Sequence, residues 1–484
     1  MEEFLLKVAA NINTYLSNYV LVFLLVGVGL FYSIRTRFVQ VRCFGEGMKK
    51  VFGKISLRGG KQKSGLSSFQ ALTAAIAAQV GTGNIVGACG AILIGGPGAI
   101  FWMWIIAFFG MATIYAEAVL AQETREKGED GAISGGPVYY IKRAFSGKFG
   151  KFLAGFFAVA ITLALGFMGS MVQSNSIAES FGNALNTSFG WDMKAVMIVV
   201  GIIVTLFAAF IFLGGVQRLA AVTEKIVPIM AVLYLLGGIV VIGANITRLP
   251  EAVGMIFRFA FNPAALLGGG IGYAIKEAIS QGAKRGLFSN EAGMGSTPHA
   301  HAQANVEKPH DQGVVAMIGV FIDTFIVLTM TALIAITTLY TEGGVLHAFT
   351  GGVANGNFAE LAGAIGVNKG NMIQLAFSSV FGNTFGSIFV AICLFFFAFS
   401  TIISWNFFGK INFNYLFGKK ATIVYTVISI VFIFLGCLTS NDLVWELTDV
   451  FNNLMVIPNA IALIALSGMV VSAVKTKNSK NELK

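Results

Sequence analysis

The chain has 484 residues, 56% of them hydrophobic and 12% charged, with a mean hydropathy of +0.77. Soluble globular domains carry about twice that charged share, so the composition excludes one and describes an all-α polytopic membrane protein. A net charge of +10 would also suit a nucleic-acid binder, but helical membrane proteins concentrate Lys and Arg in their cytoplasmic loops, and that bias accounts for the excess here.

The N-terminus begins Met1, Glu2, Glu3 without the basic n-region of a cleaved signal, so it is expected to be retained. One bilayer crossing takes about 20 apolar residues. Eleven candidates follow in order: 18–36, 66–94, 98–122, 151–178, 193–214, 222–245, 271–304, 313–339, 386–409, 421–438 and 446–474. The seventh is the least hydrophobic. Arg35, Arg37, Arg42, Lys49, Lys50, Lys54, Arg58, Lys61 and Lys63 follow the first span. Basic clusters recur in alternate loops, around 123–150, at Arg218 and Lys225, at Lys410, Lys419 and Lys420, and in the tail up to Lys484. The loops between them are nearly uncharged or acidic, apart from Arg248 and Arg258. This pattern predicts an external N-terminus and a cytoplasmic C-terminus. The Gly-rich loop 123–150 reads as a re-entrant or amphipathic connection, and the sub-runs 358–365 and 373–380 of the external segment 340–385 as short capping helices.

Two stretches break the hydrophobic pattern. QVGTGNIVG, residues 79–87, sets Gly81, Gly83 and Gly87 beside Thr82 and Asn84 in the middle of the second span. Such a sequence either breaks the helix, exposing N–H and C=O groups that bind a solute at membrane depth, or merely lets two helices pack closely. The seventh span repeats the pattern at 289–296, with Gly293 and Gly295 beside polar side chains and Pro298 to stop the preceding turn. With 1–65 set aside as an extra helix and basic loop, 66–250 and 251–474 form two five-helix groups of opposite topology, each opening on an interruption, and 475–484 is a basic tail. Paired interruptions in inverted halves point to a transporter site near the membrane midplane.

The motifs SSFQALTAAIAAQVGTGNIVG, GGPGAIFWMW, MATIYAEAVLA, GAISGGPVYYI and RGLFSNEAGMGSTPHAHA resemble those of the alanine or glycine:cation symporter family, in order and across essentially the whole chain. The resemblance implies a LeuT-like five-plus-five inverted repeat with one extra N-terminal transmembrane helix. It also implies uptake of a small neutral amino acid, alanine or glycine, driven by Na+ or less often by H+, with no enzymatic step. A monomer in the plasma membrane is expected to suffice.

Within that frame, the N–H groups of Thr82, Gly83 and Asn84 are candidates for the substrate carboxylate, and carbonyls near Gln79 and Ala292 for its ammonium. Gln79 either contacts substrate or caps its helix. Gln173 either faces the same cavity or bonds another helix. Phe288, Met294 and Trp405 are candidate walls for a methyl-sized pocket, or core. Ser400 and Thr401, with the carbonyls of Ala77 and Val80, would make an all-oxygen sodium cage, matching a hydroxyl pair on the corresponding LeuT-type helix; alternatively the hydroxyls bond back to their own helix. Asp323 stands alone in an apolar span, where a carboxylate is costly enough to mark function, as a second cation ligand or a proton carrier, or as a quietly paired group. Glu117 and Glu291 are weaker candidates. A channel would need a continuous polar pore, and neither HExxH nor GxSxG is present. His299 and His301 lack a third metal ligand in the sequence. Cys43, Cys89, Cys393 and Cys437, scattered singly, indicate neither disulfides nor a metal cluster.

Overall fold

In lipid each spanning segment must satisfy its own backbone N–H and C=O groups, and this chain does so almost wholly with helices. The computed structural model describes residues 2–53, 66–128, 133–261, 271–347 and 358–481. Lys54, Arg58, Lys61, Lys63 and Lys484, and parts of the predicted loops at 129–132 and 348–357, lie outside the described residues.

Helix α1 (Glu2–Arg35) starts well before the predicted 18–36 span, and a short amphipathic helix α2 (Phe44–Phe52) follows. The second span is the bent pair α3 (Ser68–Gln79) and α4 (Gly83–Gly95), which meet at 46°. After them come α5 (Gly98–Thr124), a two-residue hairpin pairing Glu126–Lys127 with Ile133–Ser134, and α6 (Pro137–Ala144). Next are α7 (Gly147–Phe189), α8 (Met193–Phe212), α9 (Gly215–Ala244) and the shorter α10 (Leu249–Phe261). The second half contains α11 (Ile271–Asn290), the single turn α12 (Pro298–His301) and α13 (Pro309–Tyr340). Two short helices, α14 (Phe358–Ala364) and α15 (Met372–Phe381), precede α16 (Asn383–Phe417), α17 (Lys419–Gly436), α18 (Asn441–Ala465) and α19 (Ser467–Asn481).

Among the described residues nine helices are long and apolar enough to cross a membrane, or ten with α3 and α4 counted as one span. The expectation of eleven exceeds this at 271–304. Helix α11 carries Lys276, Glu277, Lys284 and Arg285, and its continuation α12 is one turn long. Two of those charges are compensated inside the protein, Lys284 at 2.8 Å and Arg285 at 3.2 Å from Asp449 of α18. Burial among partners, rather than apolar composition, holds this helix in the bundle. The predicted last span, 446–474, is in fact two helices, parted at Leu466. Pro298 opens α12 instead of stopping the preceding helix, since a missing N–H costs nothing in a first turn.

Helix α3 is buried along its whole inner length, from Ala71 to Gln79, and lies between α9, α13 and α16. A capping box starts it: the Gln70 N–H donates to Ser67 Oγ (3.1 Å) and the Ser67 N–H to Gln70 Oε1 (3.2 Å). Close approach of helices depends on small residues, and Gly83 is the case that joins the two breaks. A Cβ there would come within 3.0 Å of both the Phe288 ring and the Ser289 Cα, so the two interrupted helices touch backbone to backbone.

Candidate functional site

Helix α3 ends where Val80 leaves helical geometry (ψ 87°) and Gly81 follows. The chain resumes at Gly83–Gly87 as a wide π-type turn, and Phe321–Leu328 of α13 and Thr162–Gly169 of α7 are wide in the same way. Such turns recur at functional sites because they displace one residue out of the regular ladder. Here they carry Asn84, Asp323 and Gly169. The second interruption runs from Glu291 to Thr297, with Glu291 (φ 57°), Gly293 (φ 93°) and Gly295 (φ 79°) in the left-handed region. Glycine tolerates that geometry and glutamate does not, at a cost of about 1–2 kcal/mol.

Contacts from neighbouring helices hold this strained loop. Glu117 of α5 accepts the Gly293 N–H (3.1 Å), the Gly295 N–H (2.9 Å) and the Asn459 amide (2.6 Å), and that amide also donates to the Gly293 carbonyl (2.9 Å). The Glu291 carboxylate accepts the Trp405 indole N–H and the Ser296 hydroxyl. Glu117 is thus a staple of the second break, a larger role than its position near the end of a span conveyed. Asn459, beside Pro458 in α18, was not a candidate at all.

The two breaks are tied together. Gln79 Nε2 donates to the Asn290 carbonyl (2.7 Å), and Asn290 Oδ1 accepts the Ala292 N–H (3.0 Å). Asp323 accepts from Asn84 Nδ2 (2.6 Å) in the first break, from Ser289 Oγ (3.0 Å to each oxygen) beside the second, and from Thr324 Oγ1 (2.8 Å). Asp323, Glu117 and Glu291 are fully buried, and no Lys or Arg pairs with any of them among the described residues. A buried carboxylate without a counter-charge is costly. This polar knot is suited to a cation.

Gln173 of α7 accepts the Thr82 N–H on Oε1 (3.1 Å), and the Gly81 N–H is taken by Asn84 Oδ1 (3.0 Å). The Thr82 amide, expected to face a carboxylate, is therefore already satisfied by a side chain from another helix. What the same groups leave over is three buried polar atoms without a partner: Gln79 Oε1, Thr82 Oγ1 and Gln173 Nε2. Buried polar atoms are rarely left unpaired.

Phe288 and Trp405 meet edge to face at 5.6 Å between ring centres, and Trp445 closes over Phe288 at 4.6 Å. Gly169 leaves the space Trp405 fills, since a Cβ there would lie 2.5 Å from the indole. Ala292 and Met294 are buried farther along the unwound loop, and the Met294 N–H donates to the Glu291 carbonyl (3.1 Å). The Ala77 carbonyl accepts both Thr401 Oγ1 (2.9 Å) and Ser400 Oγ (3.4 Å), each of which also bonds back to Phe397 O. The Val80 carbonyl receives neither hydroxyl. The back-bonding expected from sequence is thus present, alongside hydroxyl contacts to the Ala77 carbonyl, and the Val80 carbonyl stands apart from both. His299 and His301 face different partners, Ser296 O with Asn412 for the first and Gln312 for the second, so they form no metal pair.

Comparison with known proteins agrees with this architecture. The profile of the sodium:alanine symporter family matches residues 2–484. The chain is 39% identical over 477 residues, 98% of both proteins, to the sodium/alanine symporter AgcS of Methanococcus maripaludis. It is 39% identical over 472 residues to the putative sodium/proton-dependent alanine carrier protein YrbD of Bacillus subtilis, covering 96% of this chain and 91% of that one. The crystal structure of MhsT in complex with L-phenylalanine superposes with a TM-score of 0.59 at 14% identity, over 86% of this chain and 96% of that one, which places the fold in the LeuT class. The chain is a multi-pass, cation-coupled amino-acid transporter, not an enzyme, and it belongs to the sodium:alanine symporter family.

Proposed function

We propose that this protein imports alanine or glycine across the plasma membrane together with sodium, by alternating access around the two interrupted helices. The observation that carries the substrate site is the set of unpartnered buried atoms at the first break, Gln79 Oε1, Thr82 Oγ1 and Gln173 Nε2. The Gln173 amide and the Thr82 hydroxyl are donors suited to a carboxylate. Gln79 Oε1 and the Ala292 carbonyl are acceptors suited to an ammonium. Gly83, with no side chain of its own, and Asn84, whose N–H holds the Gly81 carbonyl only at 3.3 Å, would offer main chain to the substrate. Phe288 and Trp405 then wall a pocket sized for hydrogen or methyl, with Met294 below. MhsT, a structural neighbour, is solved with an amino acid bound, in keeping with such a substrate.

One sodium ion would lie between Ala77, Val80, Ser400 and Thr401, and a second cation at Asp323, Asn84 and Ser289. All donors at the first place are oxygens, the set a hard monovalent cation prefers; at the second, Asp323 and Ser289 supply the oxygens while Asn84 turns its amide nitrogen to Asp323 and orients it. Residues 66–250 and 251–474 act as inverted halves, preceded by the segment 1–65, with the N-terminus outside, the basic loops and the tail 475–484 in the cytoplasm, and a monomer as the working unit. A second reading, proton coupling, is favoured by Asp323, a fully buried carboxylate with hydrogen-bond donors but no counter-ion. Counterflow in proteoliposomes tests the carrier mechanism. Labelled alanine should accumulate transiently in vesicles preloaded with unlabelled alanine, glycine or serine. Uptake that ignores internal substrate would point to a channel and overturn the reading.

A further inference from the structure

The transport site leaves one constellation unused, on the face that carries the basic segments. Cys43 immediately precedes α2, Glu46 lies in its first turn, and His310 is the second residue of α13. Their Sγ, carboxylate oxygen and ring nitrogen all lie within 4.8 Å of one another. We propose that Cys43, Glu46 and His310 form a binding site for a divalent transition-metal ion of the zinc class, which ties α2 to α13.

The fold sets these residues together over a long separation in sequence. Helix α2 is seated on α13 through Gly47, where a Cβ would come 2.7 Å from Ile318 and 2.8 Å from the Val314 carbonyl, so the relative position of the two helices is fixed by contact. The donor set of one thiol, one imidazole and one carboxylate is the mixture zinc takes, and three protein ligands leave a fourth position for water. Bonds of about 2.0–2.3 Å require donors roughly 3–4 Å apart, so side-chain adjustment of about an ångström closes the site.

Four further features fit a metal rather than a chance cluster. Tyr115 of α5 holds His310 Nδ1 at 2.7 Å, which turns Nε2 toward Glu46 (3.5 Å); a hydrogen bond on the far ring nitrogen is the usual means of orienting a metal-bound histidine. Cys43 and His310 are buried, whereas the Glu46 side chain is 26% exposed. Lys50 is 3.2 Å from Asp311 but 4.0 Å from Glu46, so its closer acid is not a ligand. A cavity of about 510 Å³ lined by Glu46, Lys50, Ser68 and Asp311 opens beside the cluster and gives an ion its way in. On binding, the Cys43 thiol releases its proton to solvent, and thiolate and carboxylate together neutralise the divalent charge. Arg42, Lys50 and Lys308 carry charges that act on His310 and are not themselves ligands.

The test is a cobalt titration of the full-length protein, purified in detergent and stripped with a chelator. Wild type should take up one equivalent of Co2+ with a thiolate-to-cobalt charge-transfer band that Zn2+ displaces. Cys43→Ser should lose the band, with Cys89, Cys393 and Cys437 still present. Glu46→Gln should keep it at a lower affinity. Tyr115→Phe, which leaves all three ligands, should weaken binding by about 10-fold or more through the loosened imidazole. Absence of the band in wild type, its persistence in Cys43→Ser, or an unchanged affinity in Tyr115→Phe would each overturn the site.

Discussion

Replacing Thr401 by Val removes one oxygen from the proposed sodium cage at almost constant shape. In the structure this oxygen is 2.9 Å from the Ala77 carbonyl and 3.1 Å from that of Phe397, so its loss as a neutral hydrogen bond costs about 1 kcal/mol, too little to unfold a bundle. Toward a bound ion the same oxygen counts for more, about 1.5–3 kcal/mol for an interaction with a charge. At 1.4 kcal/mol per tenfold the sodium concentration for half-maximal uptake should rise roughly 10- to 150-fold, while the maximal rate at saturating sodium changes much less. The assay is the initial rate of labelled alanine uptake against sodium, with choline keeping ionic strength constant. Ser400→Ala should produce a smaller shift, because Ser400 Oγ stands farther from Ala77, at 3.4 Å. An unchanged sodium dependence in Thr401→Val would refute the cage.

Three other substitutions probe the remaining parts of the site. Trp405→Phe opens the wall packed on Phe288 and deprives Glu291 of its indole donor; alanine uptake should fall and leucine should become a competitor, each methylene accommodated being worth about 1–3 kcal/mol. Failure of leucine to compete while alanine transport persists would mean that the wall lies elsewhere. Glu117→Ala leaves the N–H groups of Gly293 and Gly295 without their acceptor, at about 1–3 kcal/mol each, so alanine binding should weaken by at least tenfold, read by scintillation proximity on purified protein; full affinity would show that the unwound loop needs no staple. Asp449→Ala strands Arg285 and leaves Lys284 with only Glu446 at 3.5 Å, their side chains being just 7% and 9% exposed. Breaking such a buried cluster costs about 3–5 kcal/mol, visible as a lowered unfolding midpoint in detergent, and a midpoint equal to wild type would remove that cluster from the account of how α11 is held.

Sequence reading reached what local composition encodes. The break at Gly81–Asn84 is legible because small and polar residues stand where lipid-facing sequence is aliphatic, and Ser400 with Thr401 is legible as a hydroxyl pair inside an apolar run. It missed what depends on distant partners. Nothing near Thr82 shows that Gln173 occupies its amide, and nothing near Glu117 shows that it serves a loop well over a hundred residues away. The charged helix α11 fails a hydropathy test because its compensation comes from Asp449 on α18. Cysteine spacing likewise gave no hint of the Cys43 cluster, since the histidine that completes it arrives on another helix.

Whether sodium moves the substrate is the most direct measurement to make. Purified protein in liposomes, given labelled L-alanine under an inward sodium gradient or with choline in its place at the same pH on both sides, should concentrate alanine only when sodium is present. Equal uptake in choline, together with accumulation driven by an imposed pH gradient alone, would contradict sodium coupling and assign the coupling to protons.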